Sequence, residues 1–156
     1  MYIRRAEEKD IDKILDLLSQ VLEIHAAIRP DLFISGSTKY TREELIPMFT
    51  DESRRIYVAT DENDTVQGYA FCEIRENPSS NSKVPFKYFH LDDLCVDENF
   101  RENHIGQELV KHVEEEAKKL GCFEVTLNVW EGNDTARAFY DKMGFHPKYT
   151  TMEFIL

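Results

Sequence analysis

The chain has 156 residues, of which 42% are hydrophobic and 31% charged, the balance of a globular protein with room for a proper core. No apolar run approaches the roughly 18 residues of a membrane span. Its formal net charge of −11 disfavours nonspecific nucleic-acid binding, which rests on Lys and Arg contacts to phosphate. The acidity either serves solubility alone or suits a cationic partner such as an amine. A single domain over residues 1–156 is the expectation. The start, MYIRRAEEKD, carries no apolar segment behind its arginines, so no signal peptide is expected and the cytoplasm is the default compartment. Cys72, Cys95 and Cys122 form no C-x-x-C pair and read as buried free thiols. The histidines show no zinc-ligand spacing, and no metal is expected.

In chain order, Tyr2 to Arg5 reads as a first strand. Asp10 is placed to cap a helix whose Ile11, Ile14, Leu15, Leu18 and Leu22 make one buried stripe, ending near Ala27 ahead of Arg29-Pro30. Residues 30–39 (PDLFISGSTK) read as a loop over a cleft, either a specificity element or a loop with an apolar anchor. Thr41 to Glu44 (TREE) is a capping box that opens a short helix to about Phe49. Arg55 to Thr60 and Val66 to Arg75 predict a hairpin, and 76–85 a loop. The central strand then runs from Lys87 to Val96. An amphipathic helix follows Gly106, with Ile105, Leu109, Val110, Val113, Ala117 and Leu120 on one face and Gly121 as its stop. Glu124 to Val129 alternates as a strand, Asn133 or Asp134 caps a last helix through Lys142, and Phe145 to Tyr149 and Thr151 to Leu156 predict two closing strands. The order of these elements implies a mixed α/β (α+β) domain.

The chemistry concentrates between Tyr88 and Gln107. Asp92 and Asp93 stand in an otherwise apolar strand, and unpartnered buried carboxylates cost several kcal/mol or shift their pKa. Such a strand reads as the lining of a site. Alternation puts His90, Asp92, Leu94 and Val96 on one side and Asp93 on the other, unless a bulge resets the count. Asp92, alone or with His90, could take a proton directly or through water; the plainer readings are an ion-paired carboxylate and a hydrogen-bonded core histidine. Arg101, Glu102, Asn103, His104, Ile105, Gly106 and Gln107 then form a strand-to-helix loop. Gly106 clears one approach for a pyrophosphate, and the helix N-terminus aims N–H groups at it.

Further on, Asn133 and the run Phe139-Tyr140-Asp141-Lys142-Met143-Gly144-Phe145 have a specific spacing. Together with Arg101-x-x-His104-x-Gly106 and the opening Ile3-Arg4-Arg5-Ala6, the arrangement resembles the GNAT family of acetyl-CoA-dependent N-acetyltransferases over essentially the whole chain. The resemblance implies an acyl-CoA N-acyltransferase fold, with a mixed, mostly antiparallel sheet splayed between its fourth and fifth strands and about four helices. It implies acetyl-CoA as acyl donor and a small-molecule or peptide amine as acceptor. Leu94, Cys95 and Val96 would meet the pantetheine arm with backbone groups, residues 101–107 would wrap the pyrophosphate, and Asn133 would hydrogen-bond the cofactor arm. Tyr140 would protonate the departing thiolate, and Asp92, with His90 or a water, would be the base. Cys95 as an acyl-enzyme nucleophile is disfavoured, because it should face away from Asp92 with no histidine to pair it. His104 stands where the family usually has glycine, and the alternative is a CoA-binding module with weak or no catalysis. A homodimer is a further expectation, with Met152, Phe154, Ile155 and Leu156 contributing.

Overall fold

The computed structural model describes every residue from Met1 to Leu156. Five strands form one sheet in chain order: β1 (Tyr2–Arg5), β2 (Arg54–Thr60), β3 (Val66–Asn77), β4 (Phe86–Val96) and β5 (Val125–Thr126). The first three pairings are antiparallel and β4–β5 is parallel. Four helices accompany them: α1 (Ile11–Ile28), α2 (Arg42–Met48), α3 (Ile105–Lys119) and α4 (Asp134–Lys142). No helix is long and apolar enough to cross a membrane.

Each face of the sheet has its own core. Ile14, Leu17, Leu18 and Leu45 from α1 and α2 bury against Ile56, Val58, Tyr69 and Phe71. Leu109, Val113 and Ala117 of α3 bury on the other face against Ala70, Cys72, Phe89 and Leu91. The period-2 alternation of β2 and β3 feeds both cores at once, which is why these strands are buried on both sides. The helical stripe on α1 buries Ile11, Ile14, Leu18 and Leu22 as expected, with Leu17 in place of Leu15, which is only partly buried. Thr41 and Glu44 form the anticipated reciprocal cap at 3.2 Å each way.

Three expectations are corrected. Asp10 makes no cap bond to α1; its carboxylate instead accepts the Glu7 N–H at 2.8 Å and both guanidinium nitrogens of Arg4 at 2.8 and 2.9 Å. The pair ties β1 to the start of α1. The strand anticipated over Glu124 to Val129 is only Val125–Thr126, and Phe145 to Tyr149 and Thr151 to Leu156 form no strands. A strand needs a neighbour, and beyond Thr126 the chain has left β4 with nothing beside it. Cys72 and Cys95 are buried, whereas Cys122 is only half-buried, being beyond the end of α3.

One glycine fixes how closely these layers approach. A Cβ on Gly68 would stand 2.8 Å from the Cys95 carbonyl oxygen and 3.3 Å from the side chains of Ile105 and Leu109. β3, β4 and α3 therefore meet there without room for a methyl group. Gly68→Ala should lower stability by about 1–3 kcal/mol, read as a lower urea midpoint with an unchanged slope.

Candidate active site

The site begins with an irregularity in the β3–β4 ladder. Phe71 faces Asp93, yet the next residue, Cys72, faces Leu91, so Asp92 is an extra residue on β4. A bulge of this kind turns two successive side chains toward the same face. His90, Asp92 and Asp93 consequently lie on the α1–α2 side, while Leu94 and Val96 pack toward α3. This corrects the simple alternation, which sent Asp93 away from Asp92 and grouped Leu94 and Val96 with it. Cys95 also turns to the α1 side, its Sγ 3.6 Å from the Leu17 carbonyl. Its thiol is pushed up to about 12, chiefly by burial, which leaves it inert at neutral pH.

The two carboxylates differ sharply. Asp92 accepts hydrogen bonds from the Lys39 ammonium at 2.9 Å and the Tyr40 hydroxyl at 3.1 Å. Burial alone would raise its pKa, but Lys39 and Tyr40 outweigh burial and hold it below the usual carboxylate range. Asp93 has no cation bonded to it; its neighbours are the Tyr69 hydroxyl and the Leu94 N–H. Burial, with the neighbouring Asp92 charge, pushes it up to about 6 against the pull of Lys39. Beside it lies the hydroxyl of Tyr69, fully buried and without a completed hydrogen bond to any protein group. Burial, with smaller effects from the charges of Asp93 and Cys72, raises the pKa of the Tyr140 phenol on α4 and keeps it protonated. Its ring is held edge-on between Phe139 and Phe145, at 5.1 and 5.7 Å.

His90 marks where the sheet opens. β4 and β5 are paired only at Phe89↔Val125 and His90↔Thr126, and His90 Nδ1 lies 2.8 Å from Thr126 Oγ1. Burial, then Arg75, lowers its pKa and favours the neutral imidazole. Past this stitch the β5-facing backbone groups of Leu94, Cys95 and Val96 have no strand beside them. The gap lets an extended ligand add itself as a strand.

At the end of β4 the chain turns through Arg101–His104 into α3. His104 is the N-cap, in the left-handed conformation (φ 59°), and its side chain caps nothing. Glu102 is also left-handed (φ 75°). The N–H groups of Ile105, Gly106 and Gln107 are thus uncapped at a helix N-terminus, where the dipole favours an anion. Arg101 donates from Nε to the Val96 carbonyl at 3.3 Å, which anchors the loop to the strand end. Gly106 has a second reason to be glycine: a Cβ there would lie 3.3 Å from the Phe139 ring. Asn133 caps α4, its side-chain oxygen accepting from the Ala136 N–H at 3.3 Å.

A strap between α1 and α2 closes the other side. Phe33 is its apolar anchor, packed between His25 and Trp130 at 5.1 and 5.5 Å. Glu23 accepts from the Gly36 N–H and the Ser35 hydroxyl, and Lys39 and Tyr40 end the strap on Asp92. Asp93 as a site residue, and Tyr69, Lys39 and Tyr40 with it, escaped the reading of spacing. The available signal was the Asp-Asp doublet, since an apolar strand with two adjacent charges satisfies both more readily through a bulge.

The left-handed His104 leads to a stability test. Glycine is relieved of steric strain there but loses more backbone entropy on folding, whereas a β-branched residue is strained outright. His104→Gly should change stability by less than about 1 kcal/mol and His104→Val should cost roughly 1–2 kcal/mol, both measured by urea unfolding.

The sequence profile described as "Acetyltransferase (GNAT) family" matches residues 18–145. The chain is 29% identical to the peptidyl-lysine N-acetyltransferase YjaB of Escherichia coli over 72% of its own length and 63% of that protein. It is 32% identical to glucosamine 6-phosphate N-acetyltransferase of Arabidopsis thaliana over 63 residues, 40% of either chain. Neither match spans two thirds of those relatives' length. The crystal structure of a mutant BH1408 protein from Bacillus halodurans superposes with a TM-score of 0.95, at 28% identity, over 100% of this chain and 99% of that one. A match over most of its length, on a sheet that opens between β4 and β5, places this chain in the acetyltransferase (GNAT) family.

Proposed function

We propose that the protein transfers the acetyl group of acetyl-CoA directly to a primary amine. The observation that carries this reading is the gap between β4 and β5 beside the uncapped start of α3. The donor, when bound, supplies a thioester carbonyl for attack. Leu94, Cys95 and Val96 offer backbone groups to the pantetheine arm, and one of their N–H groups is positioned to hold the oxyanion. Arg101 adds charge to the N–H groups of residues 105–107 at the pyrophosphate; Glu102, Asn103 and His104 shape the turn. Asn133 stands beside the arm's path at the start of α4.

An amine reaches the cleft as an ammonium, with a pKa near 10, and must lose a proton before attack. Asp92 already holds an ammonium, that of Lys39, so it is suited to receive a cationic acceptor in exchange. Asp93, poised near neutrality and beside an unsatisfied phenol, is the better proton acceptor, and neutral His90 keeps the strands registered. Tyr140 then gives its proton to the departing thiolate. The relatives named for glucosamine 6-phosphate and peptidyl-lysine support an amine on a sugar or a peptide side chain as the acceptor class. The non-catalytic alternative rested on His104; the left-handed backbone there is the one a glycine would adopt, which favours the catalytic reading.

The first test is calorimetric titration with acetyl-CoA, followed by thiol release with a panel of sugar, polyamine and lysyl-peptide amines. Micromolar binding and amine-dependent release are expected, and no binding would sink the proposal. Asp93→Asn should cut kcat by roughly 10²–10⁴-fold, and wild-type activity should rise with pH through about 6. The same residue predicts an opposite effect on stability. Its pKa in the fold lies above the ordinary 3.8, so its contribution is full below that value and is lost as pH rises through about 6. Asp93→Asn should therefore gain up to about 3 kcal/mol over wild type at pH 8 and much less at pH 4, measured by urea unfolding at both pH values.

A further inference from the structure

The strap between α1 and α2 delivers a lysine into the acceptor side of the site. Tyr40 stacks on Phe71 of β3, ring centroids 5.7 Å apart, and Thr38 Oγ1 donates to the Tyr40 carbonyl at 3.0 Å. Thr41 then caps α2. Held between these residues, Lys39 extends over the Tyr40 ring and donates from Nζ to Asp92 at 2.9 Å. Lys39 is alone among the lysines in bonding a carboxylate of β4. Every other paired lysine finds its carboxylate on a helix or a loop.

The pair is open to water, with side-chain exposure of 41% at Lys39 and 24% at Asp92. An ion pair so exposed holds its partners weakly, so the ammonium is free to leave the carboxylate. Asp92 stands two residues, roughly 7 Å of strand, ahead of Leu94, at the gap assigned above to the acyl arm. That is a shift within the compass of the flexible four-carbon lysine stem. Asp93, the proposed proton acceptor, lies within the field of the same ammonium. We infer that Lys39 is itself an acceptor: with acetyl-CoA bound, the protein acetylates its own Lys39. This inference rests on the acyl-transfer reading proposed above.

The step balances on groups already named. Nζ gives one proton to Asp93 and attacks the thioester carbonyl carbon, forming the C–N bond. The C–S bond breaks as the tetrahedral intermediate collapses, and the sulfur takes a proton from Tyr140. A second proton leaves the nitrogen and returns through solvent to Tyr140, while the third stays on the amide. The products are one N-acetyl-lysine and one free CoA thiol per chain. The side-chain charge at position 39 is then gone, and the Tyr40 hydroxyl at 3.1 Å is the one side-chain donor left to Asp92.

The test incubates the full chain with acetyl-CoA and, separately, with acetic anhydride, and locates the acetyl groups by peptide mass spectrometry. Acetyl-CoA should place one acetyl group per chain on Lys39, at a rate per chain independent of protein concentration. Acetic anhydride should instead favour the exposed Lys83, Lys118 and Lys142, which no carboxylate holds. Asp93→Asn should slow the Lys39 reaction by roughly 10²-fold or more and leave the anhydride pattern unchanged. Lys39→Arg should take up no acetyl group from acetyl-CoA in the same time. Thiol release with the amine panel is measured in parallel. Amine-dependent release without acetylation of Lys39 would overturn the inference and leave the transferase reading standing. Labelling by acetyl-CoA that follows the anhydride pattern, or that reaches Lys39 at full rate in Asp93→Asn, would also overturn it. Loss of both Lys39 acetylation and amine-dependent release would remove the transferase reading, and the inference with it. Acetylation of Lys39 with no release to any amine of the panel would uphold the inference and narrow the transferase to its own chain.

Discussion

The placement of the site's two carboxylates follows from the one extra residue in β4. Without the bulge at Asp92, the two aspartates would point to opposite faces, one into the α1–α2 core and one into the α3 core. Each would then be an isolated buried charge, at a cost of several kcal/mol. With the bulge they share one face, where one carboxylate has two donors and the other abuts a buried phenol. The same distortion adds local twist. It comes just beyond His90, the last residue at which β4 is paired with β5. Bulge, parting of strands and carboxylate placement are one structural event.

Putting two like charges side by side pushes their proton affinities apart, and the neighbours decide which goes which way. Lys39 and Tyr40 arrive on the α1–α2 strap and choose Asp92, so Asp93 is left to rise. The strap is in turn fixed by Phe33 against His25 and Trp130 and by Glu23 at the Gly36 turn. A loop with no regular structure thereby sets the chemistry of a strand. The strap also carries the Lys39 ammonium onto Asp92, so that carboxylate is already matched to a cation.

Much of the fold was legible because it rests on local rules. The stripe on α1, the Thr41–Glu44 cap, the α3 face and the stop at Gly121 are set by spacing and capping chemistry within a few residues. The orientation of Asp93 was not legible, because alternation assumes a perfect ladder and the bulge is a property of two strands together. Asp10 failed for a similar reason: its cap was outbid by Arg4, whose approach depends on β1 pairing with β2. The closing strands failed differently. Phe145 to Leu156 has strand chemistry in its sequence, and what it lacks is a neighbour within the chain.

The loop before α3 shows how far a motif can drift while its backbone holds. Position 104 demands a positive φ, which glycine meets freely and histidine meets at roughly 1 kcal/mol of strain. A histidine, however, has fewer unfolded conformations to lose, worth about 0.4–1 kcal/mol in the other direction. The two terms nearly cancel, so the substitution is tolerated without altering the path of the chain. What changes is the character of the cradle. Its N–H groups still converge at the start of α3, but an imidazole now stands at its rim, exposed and unpaired. The loop therefore keeps its backbone path and gains an imidazole at its rim. Position 106 has no such latitude, because the space beside it is filled by Phe139 of the helix that carries Tyr140. The two residues of the motif thus answer to different constraints, position 104 to its backbone conformation and position 106 to the packing of α4.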